Sequence, residues 1–157
     1  MEYAGFLRGP HQTDKTLNII SWNINSAKTK LDKQIVNNFL FFYDIICLNE
    51  IKTPCNIVFS GYIAYRSKHV SGTASRRGGT IVFIKNYLAN YVYNIDIGIV
   101  DQVWFQLHCV PGVMFGACYI PPSDSTYFNP QAFACLHEKM SDYNENIEFL
   151  IQIHMGY

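Results

Sequence analysis

Three strand-like runs of this sequence end in groups that can hold a cation or a phosphate. "IISWNIN" (19–25) delivers Asn23 and Asn25, "DIICLNE" (44–50) closes on Glu50, and "VMFGACYI" (113–120) carries Tyr119 near its end. Two amides two residues apart lie on one face of an extended chain. Asparagine is a poor strand residue and costly to bury unpaired, so the pair calls for a partner. A carboxylate with amide oxygens and water is the hard-oxygen set that Mg²⁺ or Mn²⁺ prefers, with substrate phosphates completing the shell. The Tyr119 phenol could donate a hydrogen bond to a phosphoryl oxygen. Each residue also has a plainer use: an Asn after a strand serves as turn or cap, a Glu there is solvated, and a Tyr before Pro-Pro packs.

Elements that would position these groups can be read from periodicity. "TLNIISWN" (16–23) predicts a buried strand, and Leu31, Ile35, Phe39 and Phe42 recur at helical spacing within 29–43. With the strand over 44–50 this makes a crossover unit with neighbouring strands. "GYIAYR", "GTIVFIK", "YVYNIDI", "DQVWFQLH" and "VMFGACYI" follow as strands, mostly with short turns between them, which favours antiparallel meanders. Phe133, Leu136 and Met140 mark a helix over 131–143, and "IEFLIQI" (147–153) is a last strand. Strand ends of open α/β sheets are where ligands commonly bind, which gives weight to the polar residues placed there. Trp22 and Trp104 read as core or near-core anchors.

Composition bounds the class. The chain has 157 residues, 49% of them hydrophobic and 15% aromatic, which suits one domain with a core. Residues 1–15 are the least patterned and are expected to be a loose N-terminal arm, with the domain spanning 16–157. They lack the basic start and apolar stretch of a signal peptide. No apolar run approaches the ~20 residues that span a bilayer, so no membrane partner is expected. Five cysteines (Cys47, Cys55, Cys109, Cys118, Cys135) without CxxC favour free thiols in a reducing compartment. That implies an intracellular protein, nuclear or cytoplasmic. His108-Cys109 and Cys135/His137 have no finger-like spacing for zinc. The net charge of zero divides unevenly: 11 Lys/Arg against 5 Asp/Glu in residues 1–90, then 1 against 7 in 91–157. A basic N-terminal half can attract a polyanion, although scattered solvated charges give the same count.

Five blocks in order, "SWNIN", "ICLNE", "RRGGTIVFI", "DQVWFQL" and "YIPPSDS", resemble the N-terminal half of the endonuclease/exonuclease/phosphatase superfamily. The form nearest to them is the endonuclease domain of non-LTR retrotransposons. The resemblance covers about residues 16–130 and implies a four-layer α/β sandwich and a Mg²⁺-dependent (or Mn²⁺-dependent) phosphodiesterase that nicks DNA. It carries the family's metal-binding carboxylate onto Glu50, its first active-site amide onto Asn23, a position near the metal onto Asn25, and the tyrosine that contacts the scissile phosphate onto Tyr119. Asn49 stands where many relatives have Gln. Arg76 and Arg77, before Gly78-Gly79, become candidates for gripping DNA phosphates.

Other parts of the family's pattern do not occur. Its water-activating groups lie in a Gly-Asp-x-Asn stretch and a terminal Ser-Asp-His stretch, and neither is found in residues 1–157. "IEFLIQIHMGY" aligns with the strand leading to the first of these but reads Gln152-Ile153-His154. The expectation is therefore a C-terminally truncated, partial sandwich, inactive alone, whose partners would be DNA and a missing C-terminal half or the reverse transcriptase of a full-length element. Two alternatives remain: a non-catalytic nucleic-acid-binding or interaction remnant, and a phosphoesterase of a small molecule or lipid headgroup.

Overall fold

Residues 3–7, 16–53, 56–68, 78–126, 128–142 and 148–155 are described by the structure, a computed structural model, with 3–7 and 148–155 described by their backbone pairing. The first sheet contains β1 (Tyr3–Leu7), β2 (Leu17–Asn23), β3 (Ile45–Asn49), β4 (Tyr62–Arg66) and β5 (Thr80–Lys85), in the order β1-β2-β3-β5-β4. The second contains β6 (Val92–Asp96), β7 (Gln102–Leu107), β8 (Val110–Ile120) and β9 (Glu148–Met155), in chain order. β2 and β3 run parallel, Asn23 opposite Asn49, because α1 (Ala27–Lys30) and α2 (Gln34–Leu40) return the chain to the same edge. β6, β7 and β8 form the antiparallel meander that their short turns predict, and β9 joins β8 in parallel.

Alternation along the strands builds the layers. Ile19, Ile45, Cys47, Val82 and Ile84 face Val103, Phe105, Phe115 and Ala117 of the second sheet and make the central core. Their neighbours Ile20, Ile46, Leu48 and Phe83 point the other way and pack with Ile24, Ala27 and Leu40 beneath the α1–α2 layer. On the far side, Trp104, Met114 and Cys118 lie under Leu136 of α3 (Pro130–Asp142). The order is helix, sheet, sheet, helix: a four-layer α/β sandwich. Trp104 is fully buried because β8 offers Gly116 opposite it, where a Cβ would come within 2.4 Å of the indole. Its Nε1 donates to Gln102 Oε1 at 3.0 Å, and Gln102 Nε2 donates to the Ala132 carbonyl at 2.6 Å, tying α3 to the sheet.

Three expectations are revised. The segment expected to be a loose arm contributes β1, which pairs antiparallel with β2 from Tyr3↔Ser21 to Leu7↔Leu17. Residues 29–43 do not form one helix: a break at Leu31–Lys33 separates α1 from α2 and shifts the phase of the second. Leu40 therefore faces the sheet, while Ile35 (77% exposed) and Phe42 (74%) turn outward. In α3 only Leu136 of the expected apolar trio is buried; Phe133 and Met140 are exposed. Trp22 is half-buried against the α1–α2 core, with the Lys30 ammonium 5.7 Å from its ring.

Candidate functional site

The end of the sandwich where β2 and β3 stop gathers Asn23, Asn25, Glu50 and Tyr119. Asn23 closes β2; its Nδ2 donates to Glu50 Oε1 at 3.0 Å, and its Oδ1 accepts the Asn25 backbone N–H at 3.2 Å. Glu50 follows β3 directly and holds its second oxygen 2.9 Å from the Lys52 ammonium. That ammonium also donates to Asn25 Oδ1 at 2.6 Å. Tyr119 lies on the inward face of β8 and hydrogen-bonds Glu50 from the opposite sheet. Of the two amides that break the strand pattern in sequence, Asn23 bonds this carboxylate directly and Asn25 is linked to it through the Lys52 ammonium.

The backbone here is fixed by neighbouring chain rather than by helix or sheet ladders. The Ile24, Ser26 and Ala27 N–H groups donate to the carbonyls of Asn49, Glu50 and Ile51 at 3.0, 2.8 and 3.0 Å. The Ile51 and Lys52 N–H groups donate to the carbonyls of Gly79 and Gly78 at 3.3 and 3.1 Å. Five of the six non-glycine residues with positive φ among the described residues belong to this end: Asn25, Ser26, Glu50, Lys52 and Asp101. Such conformations cost about 1–3 kcal/mol each and persist only where surrounding contacts over-determine them. The glycine doublet is required by the same crowding: a Cβ at Gly78 would meet the Asp101 carboxylate at 2.9 Å, and one at Gly79 would meet Ile51 at 2.9 Å.

Electrostatics follow from these contacts. Burial pushes the Glu50 carboxyl up, but hydrogen bonds from Lys52, Tyr119 and Asn23 and the Lys52 charge outweigh it, so Glu50 titrates below the ordinary carboxylate value. It is an anion at neutral pH. Burial, the bond to Glu50, and the charges of Glu50 and Asp101 push the Tyr119 hydroxyl above the usual phenol range. Tyr119 is therefore a neutral donor.

Lys52, Asp101 and Thr80 were not singled out from the sequence. Asp101 joins the two sheets: its carboxylate accepts the Gly79 N–H at 2.6 Å, and its carbonyl accepts the Tyr119 N–H at 3.0 Å. The Thr80 hydroxyl lies 2.8 Å from Asn49 Oδ1 and 2.9 Å from the Asp101 carbonyl, and its single proton serves one at a time. Asn49 is fully buried, and its Nδ2 finds no partner among the described residues. Lys52 stands two residues after Glu50, but left-handed backbone at both positions, rather than extended spacing, accompanies the approach of its ammonium to that carboxylate. Arg76 and Arg77 lie outside the described residues; Gly78-Gly79, which follow them, are anchored as above.

The donor set suits a hard divalent ion. Glu50 and Asn25 present oxygens, and a cation, the Lys52 ammonium, already gathers them. Among the described residues no three or more His, Cys, Asp or Glu side chains cluster, so substrate phosphate and water would complete the shell of any such ion. No described helix is long and apolar enough to cross a membrane.

A model described as the Endonuclease/Exonuclease/phosphatase family matches residues 20–145. No curated protein matches the chain. Among solved structures, a 3'-5' exonuclease from Neisseria meningitidis superimposes with a TM-score of 0.59 at 16% identity, covering 87% of this chain and 57% of that one. A 3' phosphatase from Neisseria bound to a product DNA hairpin gives 0.58 at 17% identity, covering 86% and 56%. An AP endonuclease from Archaeoglobus fulgidus gives 0.52 at 21% identity, covering 81% and 50%. At these identities the likeness is one of fold. The chain spans about half the length of the solved structures it matches.

Proposed function

The chain belongs to the endonuclease/exonuclease/phosphatase family, and on that premise we propose that the Glu50 site holds Mg²⁺ or Mn²⁺ together with a phosphodiester of DNA. The observation that carries this is the convergence of Asn23, Lys52 and Tyr119, from both sheets, on one ionised carboxylate at the strand ends. A divalent ion bound there supplies charge neutralisation at the phosphate and at the leaving oxygen. Glu50 anchors that ion, and Asn25 offers an amide oxygen beside it. The Asn23 amide and the Tyr119 hydroxyl are the donors that a phosphate oxygen would engage. Arg76 and Arg77 are proposed to grip the DNA backbone.

The finer reading is a retrotransposon-type DNA endonuclease domain, supported by the blocks "SWNIN", "RRGGTIVFI" and "YIPPSDS". DNA as the polyanion is supported by the hairpin held by a protein of the same fold. The water-activating Gly-Asp-x-Asn and Ser-Asp-His stretches do not occur in residues 1–157, so this chain by itself is proposed to bind DNA without cutting it. Fluorescence anisotropy with a duplex oligonucleotide and relaxation of supercoiled plasmid test both parts. The expected result is Mg²⁺-dependent binding that weakens with salt, falls in Glu50→Gln, and leaves the plasmid supercoiled. Binding indifferent to Mg²⁺ and to Glu50→Gln would overturn the site. Nicking abolished by Glu50→Gln would keep the site and overturn the inactivity.

A further inference from the structure

Lys52 is held in place more firmly than a surface lysine needs to be. Its backbone is left-handed (φ 49), its N–H is bonded to the Gly78 carbonyl at 3.1 Å, and its side chain is only 32% exposed. The ammonium then spans Glu50 Oε2 and Asn25 Oδ1, at 2.9 and 2.6 Å. Asn25 is itself left-handed (φ 43), with its N–H on Asn23 Oδ1 at 3.2 Å. Two separately constrained turns thus bring an anionic and a neutral oxygen to one cation. Glu50 Oε1 is already engaged by Asn23.

We propose that Lys52 is the resident counter-cation of this site and competes with the divalent ion for Glu50 and Asn25. The inference rests on the divalent-ion reading given above. The ammonium and a divalent ion seek the same lone pairs and repel each other, so one must withdraw for the other to load. A lysine head on a flexible four-carbon stem can do so, and a phosphate arriving beside the ion is the anion that accepts it. Ion binding is therefore weak without DNA and strengthened by it, because the phosphate compensates the charge that Glu50 gives up.

Electron paramagnetic resonance of free Mn²⁺, titrated against the whole chain, reads this without any cleavage assay. Lys52→Met and Lys52→Gln are expected to bind Mn²⁺ about tenfold more tightly than the native protein, as removal of one partly screened competing pair allows. Lys52→Arg, which keeps the charge, is expected to retain the weak native affinity. A short DNA duplex should tighten Mn²⁺ binding in the native protein more than in Lys52→Met. Circular dichroism confirms the fold of each variant, and Lys52→Gln keeps a polar head if the Met variant folds poorly. Glu50-dependent Mn²⁺ binding that is no tighter in Lys52→Met and Lys52→Gln would overturn the competition while leaving the metal reading intact. Mn²⁺ binding indifferent to Glu50→Gln would overturn the metal reading and the competition with it.

Discussion

Replacing Glu50 by Gln keeps the side-chain shape and removes its charge. In the native site one oxygen accepts Asn23 Nδ2 at 3.0 Å, the other meets Lys52 Nζ at 2.9 Å, and the Tyr119 hydroxyl also donates. An amide has one acceptor oxygen and turns an NH₂ group toward the remaining donors, so at least one of them loses its partner. A hydrogen bond to a charged group contributes about 1.5–3 kcal/mol. The Lys52 side chain is 32% exposed, however, and screened pairs return about 0–1 kcal/mol. Relief of carboxylate desolvation offsets a further part. The expected net loss is about 1 kcal/mol at about pH 7, lowering Tm by about 2–4 °C for a domain of this size. The pH dependence fixes the sign. Glu50 titrates below its ordinary value of 4.5 in the fold, so its contribution is present above that value and is lost as pH falls through the lower, folded-state value. Urea unfolding in metal-free buffer should therefore show native protein more stable than Glu50→Gln at neutral pH, with the gap closing in acid. A variant as stable as the native protein at neutral pH would refute the account of Glu50 as a satisfied anion.

Three further substitutions probe the supports of the site and core. Tyr119→Phe removes a donor to Glu50; a loss of about 1 kcal/mol is expected, and carbon NMR of the Glu50 carboxyl should show it titrating at higher pH than in the native protein. Thr80→Val leaves Asn49 and the Asp101 carbonyl without their shared hydroxyl, for an expected loss of about 1–3 kcal/mol, seen as a lower urea midpoint at unchanged slope. Gly116→Ala drives a methyl to within 2.4 Å of the Trp104 ring, and tryptophan-monitored unfolding should report a loss of about 1–3 kcal/mol from overpacking.

Strands and their facing were legible because period-two alternation and the apolar runs reflect burial directly. β2, β3 and β5 fall within a residue of where the sequence puts them. Helical period was a weaker guide: Leu31, Ile35, Phe39 and Phe42 keep their spacing across a break that the count ignores, so Leu40 is buried in their stead. β1 was missed because a strand is made by its partner, and Tyr3–Leu7 carries no pattern that announces β2. Asn23, Glu50 and Tyr119 could be picked out because polar groups at the ends of apolar strands conflict with local propensity. Lys52 and Asp101 could not, since their roles depend on left-handed backbone and on contacts 22 to 27 residues away in sequence.

Glu50 is proposed to anchor a divalent ion shared with a DNA phosphate. Anomalous scattering from crystals of the chain grown with Mn²⁺ and a short DNA duplex tests it most directly. A manganese peak at coordination distance from the Glu50 carboxylate, with a phosphate oxygen on its other side and Tyr119 and Asn23 turned toward that phosphate, is the predicted result. Manganese held by residues other than Glu50, or DNA lying on a different face of the sandwich, would contradict it.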